Sequence, residues 1–183
     1  LHDNEALAEA LKHGQEIIPV FVFDERTFMG TTDSFGFPKT GKFRTQFIIE
    51  SVQDLRASLK ALGSHLIVRI GKPEAVIFNI APQTKTSWVF CNRERFRDEK
   101  KVQDALEKKL WSIGQEMRYS RGKMLYYTAD LPFPIHHTPD VFAHFKKEVE
   151  RYVPIRSPLP APTERFEPLT IRIEEGKIPS LAD

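Results

Sequence analysis

Two short stretches carry the side chains best suited to chemistry. NRERFRDE (Asn92 to Glu99) follows an apolar run and opens a helical pattern. Asn92, Glu94, Asp98 and Glu99 set amide and carboxylate acceptors there, able to take N–H bonds from a heterocyclic ring. In open α/β sheets, ligands bind beyond the carboxyl ends of strands, which is where this stretch falls. The same residues also suit a plain polar loop, with Asp98 and Glu99 favoured at a helix start by the backbone dipole. Residue types leave both readings open, and nothing in the sequence fixes the carboxylate separation that acid–base catalysis needs. The second stretch, GFPKTGK (Gly36 to Lys42), approaches the phosphate-binding pattern G-x-x-x-x-G-K-[ST]. Phe43 stands where the metal-binding hydroxyl belongs, Pro38 removes an amide, and the preceding apolar run ends far upstream at Asp24. It is therefore not read as a P-loop. Arg44 adds a cation near the free amides of a helix start, which attract anions; an ordinary exposed arginine fits as well.

Other reactive residues read as structural. His136, His137 and His144 have no cysteine or acidic partner at metal-ligand spacing and suit the surface. Cys91 ends an apolar run and suits a small core position. Trp88 and Trp111 are expected in core packing.

The elements that must position these groups alternate. Leu1 to His13 reads as a helix capped by Asp3 or Asn4. Ile17 to Phe23 (IIPVFVF) is a continuous apolar run suited to a strand buried on both faces. Glu25 to Lys39 has no period and reads as a long loop. Thr40 to Gly63 is the clearest helix, with Thr40 as cap. Phe43, Phe47, Ile48, Val52, Leu55, Leu59 and Leu62 form its expected inner stripe, and Arg56 lies on the wet side. His65 to Ile70 and Ser87 to Cys91 read as strands, with a short helix, Glu74 to Ala81, between them. Asp98 to Ile113 is a second strong helix, with Val102, Leu106, Leu110 and Ile113 on its inner face. Gln115 to Ser120 reads as a weak strand. Asp140 to Tyr152 is the last helix, turning Val141, Phe142, Phe145 and Val149 inward. From Val153 to Asp183, Pro154, Pro158, Pro160, Pro162 and Pro168 rule out long helices and the segment reads as an extended linker.

This alternation predicts an α/β fold: an open, mostly parallel sheet with helices on both faces. With 183 residues, 40% of them hydrophobic, the chain can bury one sizeable core, in a domain over 1–152 and a tail over 153–183. A net charge of +2 neither demands nor excludes a nucleic-acid partner. The single cysteine fits a reducing, cytoplasmic setting. No apolar run approaches a membrane span.

FGFPKTGKFRTQFIIESVQDLRASLKALGSHLIVRIGKPEAVI (Phe35 to Ile77), YYTADLPFPIHHTPDVFAHFKKEVE (Tyr126 to Glu150) and the opening LHDNEALAEAL resemble the N-terminal antenna domain of the photolyase/cryptochrome family, above all its cryptochrome-DASH branch. The resemblance implies a Rossmann-like domain of about five parallel strands, the first of which is expected to precede Leu1. It implies a light-harvesting role. The antenna would be methenyltetrahydrofolate, otherwise a deazaflavin or a flavin such as FMN, passing excitation to FAD in a following helical domain. That protein would use blue light to split cyclobutane pyrimidine dimers in UV-damaged DNA, or to signal. Arg44 matches a position that lines the antenna pocket in some members, and an acidic antenna contact is expected in the 92–99 loop, at Glu94 or Glu99. The alternatives are a nucleotide-binding α/β enzyme of related fold, and a nucleic-acid-binding module, which the balanced charge disfavours.

Overall fold

The computed structural model describes residues 1–122 and 124–182. Asp183, the last residue of the expected linker, lies outside them. The order of elements is α1 (Glu5–His13), β1 (Val20–Asp24), α2 (Glu25–Phe28), α3 (Lys42–Ala61), β2 (Ile67–Gly71), α4 (Pro73–Gln83), β3 (Trp88–Asn92), α5 (Arg97–Trp111), β4 (Glu116–Ser120) and α6 (Phe142–Tyr152). Two short 3-10 turns, Thr128–Asp130 and Ile135–His137, separate β4 from α6.

The α/β class is as expected, and the described strands run parallel. They form two pairs rather than one sheet of about five. β1 pairs with β2, Val20 opposite Ile67 through Asp24 opposite Gly71. β3 pairs with β4, Trp88 opposite Glu116 through Asn92 opposite Ser120. Among the described residues no backbone ladder joins β1 to β3. The pairs are held together by helices instead: α4 lies on β1, β2 and α5, and α1 lies on β3 and β4. One edge of β1 therefore stays unpaired and only Phe23 of that strand is fully buried, so the expected two-sided burial is not reached. β2 does reach it, because Ile67 and Val68 point to opposite faces and each is 1% exposed.

The main core joins Phe23, Ile49, Val52, Leu59, Leu66, Val68 and Phe166. A smaller one joins Ala81, Leu106 and Leu110, with Val89 and Met117 against it. Two of the expected inner residues of α3 are turned outward: Phe43 is 89% and Phe47 68% exposed, while Ile49 is buried. At 3.6 residues per turn, the nine residues from Phe43 to Val52 rotate the side chain by about 180°. The step from Phe47 to Ile48 is a single residue, so the stripe read from sequence crossed from one face to the other. Arg56, expected in water, sits at the edge of the buried face and donates to three carbonyls. Thr40 does not cap α3. Gly41 is the cap and makes no side-chain bond, while the Thr40 hydroxyl is buried and donates to the Thr27 carbonyl at 2.8 Å.

Three smaller expectations also change, and the choice of cap for α1 is decided. Trp111, Ile113, Val141 and Phe142 are exposed, because each lies at a helix end beyond the reach of the core. Trp88 is half-buried, under the Arg118 guanidinium at 4.7 Å. α1 is capped by Asn4, whose Oδ1 accepts from the Leu7 amide at 3.0 Å. The Glu25–Lys39 loop begins with α2, capped by Asp24.

Residues 154–182 hold no helix or strand, yet they run along the domain rather than away from it. The Asp3 amide donates to the Leu159 carbonyl, the Phe166 amide to that of Leu62, and Thr170 bonds the Glu16 carboxylate. Phe166 is 6% exposed in the main core.

Candidate functional site

The carboxyl end of the first strand pair is braced by charge. Arg26 donates from Nε and Nη2 to Asp24, at 2.9 and 2.7 Å, and from Nη1 and Nη2 to Glu74, at 3.0 and 2.8 Å. The end of β1 is thereby fastened to the first turn of α4. The hydrogen bond to Asp24, more than that to Glu74, raises the guanidinium above its already high ordinary pKa.

Beyond this brace lies a cavity of about 660 Å³. Phe23, Phe28, Met29, Ile49, Ile70 and Leu181 make it largely apolar; Glu25, Thr40, Lys42, Thr45 and Ser180 supply its polar side chains. Lys42 and Thr45 come from the first turns of α3, whose leading amides have no intrahelical acceptor. An oxygen-rich or anionic edge of a ligand would be favoured at that wall and an N–H donor near Glu25. Residues 179–182 close another side. The volume and lining suit a flat heterocycle of two or three rings.

The Gly36 to Lys42 loop does not cradle phosphate. Three of its amides turn back on the preceding residues: Gly36 N–H to Thr32 O, Phe37 N–H to Thr32 Oγ1 and Lys39 N–H to Gly30 O, with Gly36 at φ +66°. Phe35 and Phe37 stack at 6.0 Å and face solvent.

Of the residues expected from sequence, Asn92 ends a strand, Glu94 follows it, and Arg44, Asp98 and Glu99 lie on first helical turns. Arg44 is exposed on the first turn of α3, between Lys42 and Thr45 of the cavity wall. Asn92 ends β3 and is half-buried; its Oδ1 is enclosed without a hydrogen-bond partner, beside Gly122. Glu94 is half-buried, and its amide donates to Gln103 Oε1 at 3.0 Å. Gln103 Nε2 in turn donates to the Asn92 carbonyl at 2.8 Å and lies 3.4 Å from Cys91 Sγ. Asp98 and Glu99 are exposed in the first turn of α5, and Asp98 pairs with Lys39 at 3.5 Å. That pair brings the loop before α3 to the start of α5. None of these five residues is in the cavity lining.

Nearby chemistry is quiet. Burial pushes the Cys91 thiol up to about 11, which keeps it protonated and unreactive at neutral pH. Burial also raises Tyr119, whose hydroxyl donates to Glu107 at 3.1 Å beneath the Arg93 guanidinium. His136 and His137 are exposed.

Sequence reasoning missed Thr40, Lys42, Thr45 and Ile49 as lining residues. The last three do carry a signal, since they recur at steps of three and four on the flank between the wet and apolar faces of α3. The tail residues carry none, because their position depends on where the chain folds back.

Residues 1–163 match the DNA photolyase family. The blue-light photoreceptor PHR2 of Arabidopsis thaliana is 41% identical across the whole chain, and cryptochrome DASH of Xenopus laevis 40%. The chain spans 40% and 35% of those two proteins. Among solved structures, a Synechocystis cryptochrome superposes with a TM-score of 0.90 at 37% identity, over 97% of this chain and 37% of that one. An archaeal photolyase from Sulfolobus tokodaii, described with two FAD molecules and a novel light-harvesting cofactor, superposes at 0.73 and 26% identity, over 91% of this chain and 35% of its own. No helix among the described residues is long and apolar enough to cross a membrane. Together with the parallel strand pairs and the cavity at their carboxyl end, these matches establish that the chain belongs to the DNA photolyase family, as its N-terminal α/β domain.

Proposed function

We propose that this domain harvests light, and that its antenna chromophore sits in the cavity at the carboxyl ends of β1 and β2. The observation that carries the reading is the cavity itself: about 660 Å³, walled by aromatic and aliphatic side chains, with Lys42 at one polar edge and Glu25 at another. Phe23, Phe28 and Ile49 would hold the ring and exclude water. Lys42 and the start of α3 would orient its carbonyl or anionic edge, and Glu25 would accept an N–H. Arg44, Asn92, Glu94, Asp98 and Glu99 would make a second set of contacts, to parts of the ligand that extend past the mouth. When bound, the chromophore supplies absorption in the near-UV and blue. Methenyltetrahydrofolate heads the candidates, followed by a deazaflavin and FMN.

In the whole protein, residues 1–152 would form the antenna domain. Residues 153–183 would lead to a helical domain holding FAD, the acceptor of the excitation. That protein would repair cyclobutane pyrimidine dimers in UV-damaged DNA, as a carbon–carbon lyase acting inside the cell, or report blue light. The domain alone would have no repair activity.

The test is reconstitution of the chain with each of the three chromophores, read by absorption and fluorescence, alongside Ile49→Trp and Glu94→Gln. Ile49→Trp, which fills the cavity, should abolish binding; Glu94→Gln should weaken it by roughly threefold to tenfold, as loss of one polar contact does. Undiminished binding by Ile49→Trp would remove the cavity from the site. Failure of all three chromophores to bind would end the light-harvesting reading of this domain.

A further inference from the structure

The last stretch of chain does more than leave the domain. Glu174 to Gly176 is fastened along β2 by backbone and arginine contacts. The Val68 amide donates to the Glu175 carbonyl at 2.7 Å. Arg69 reaches the same carbonyl from Nη1 at 3.2 Å and the Glu174 carbonyl from Nη2 at 2.8 Å. Arg56, from α3, donates from Nη2 to the carbonyls of Gly176 at 2.9 Å, Leu66 at 3.1 Å and Glu175 at 3.3 Å. The Glu175 carboxylate meets His65 Nδ1 at 2.7 Å and Lys60 Nζ at 3.2 Å.

Gly176 sets the direction of the chain from there. Its φ is +77°, and a Cβ at this position would fall inside contact distance of the Val68 carbonyl oxygen and Arg69 Nη1. A larger residue therefore fails twice, on backbone angle and on space. Past Gly176, Ile178 packs on the main core and Pro179, Ser180, Leu181 and Ala182 enter the cavity lining. Two arginines and one glycine thus hold four residues of tail against the place assigned to the ligand.

We propose that residues 174–182 are part of the chromophore-binding site: a clasp whose tip forms one wall, with Arg56, Arg69 and Gly176 as its positioning residues. The inference rests on the light-harvesting reading of the cavity. It follows that ligand and clasp hold each other, since whatever favours the closed wall favours the bound ring by the same factor. Leu181 supplies the apolar contact.

The experiment titrates the chain, Gly176→Val and Leu181→Ala with FMN, 5-deazariboflavin and 5,10-methenyltetrahydrofolate, following ligand fluorescence and dissociation rate. Trypsin cleavage after Lys177 is timed with and without ligand. In the unsubstituted chain, ligand should slow that cleavage. Gly176→Val should speed it, remove the ligand's protection and raise the Kd by roughly tenfold or more, within the usual range of coupled sites. Leu181→Ala, which alters only the wall, should raise the Kd by about threefold to tenfold while cleavage of the free chain stays the same, a split that general loss of folding does not produce. Unchanged Kd values in both variants, with faster cleavage in Gly176→Val, would overturn the clasp and leave the chromophore reading standing. An unsubstituted chain that binds none of the three probes would overturn both.

Discussion

The two strand pairs of this domain divide its work unequally. The β1–β2 pair has the larger core, built by α3, Leu66, Val68 and Phe166, and it opens at its carboxyl end into the cavity. The β3–β4 pair has a core of three buried residues and is held largely by side-chain polar bonds: Gln103 to the Asn92 carbonyl and the Glu94 amide, Gln115 to the carbonyls of Ala81 and Thr86, Arg93 to Asp104. Four of the five residues singled out from sequence belong to this second pair, whereas the cavity belongs to the first. The side chains that fasten this thin half are Gln103, Gln115 and Arg93 rather than the acceptors singled out from sequence. The side chains that make a cavity are ordinary apolar residues.

The largest test of this contrast is Leu59→Ala set beside Leu110→Ala. Each side chain is at most 1% exposed, and each truncation should cost about 2–5 kcal/mol in denaturant unfolding. Only Leu59→Ala, in the core beneath the cavity, should also weaken chromophore binding. Equal effects on binding would erase the division between the pairs. Next, Gln103→Leu removes the bonds that Gln103 makes to the Glu94 amide and the Asn92 carbonyl in the thin half. A loss of about 1–3 kcal/mol is expected, with binding weakened no further than by Glu94→Gln; binding abolished as fully as by Ile49→Trp would erase the division between the pairs.

A smaller effect concerns acid. The His65 hydrogen bond, then Lys60 and Arg56, hold the Glu175 carboxyl below its ordinary value, with some opposition from burial. A depressed carboxyl stabilises the fold above its unfolded pKa of about 4.3 and loses that contribution as pH falls through the lower folded value. Hydrogen exchange at the Val68 amide, which reports the tail, should therefore show constant protection from pH 8 to 5 and declining protection below about 4. Protection that falls between pH 7 and 6 would contradict this. Smallest of all is the exposed Lys39–Asp98 pair between the two halves. Asp98→Asn should change stability by less than about 1 kcal/mol, and 0.5 M salt should remove the difference.

The class of fold was legible because strand and helix periods differ, and Val89, Leu106 and Leu110 keep theirs. The burial of α3 was only half legible. Apolar residues occupy both of its sides near the start, so spacing alone could not tell that Phe43 faces water and Ile49 does not. The pairing of strands depends on which edges meet, which no period encodes. Arg56 illustrates the same limit for the site: a charged residue on an amphipathic helix reads as solvated, and only the return of the chain at Glu175 and Gly176 supplies the carbonyls it binds. Arg44 and the acidic loop follow from residue types at helix and strand ends and from resemblance, neither of which encodes how far a side chain lies from a cavity.

Phe35, Phe37, Phe43, Phe47 and Phe96 are 65–89% exposed, on the loop before α3, on α3 and at the cap of α5. With a net charge of only +2, mutual repulsion between molecules is weak. Handled in isolation, the domain should be a poor colloid. Ammonium sulfate should precipitate it at low concentration, and dilution or arginine should keep it dispersed better than cooling does.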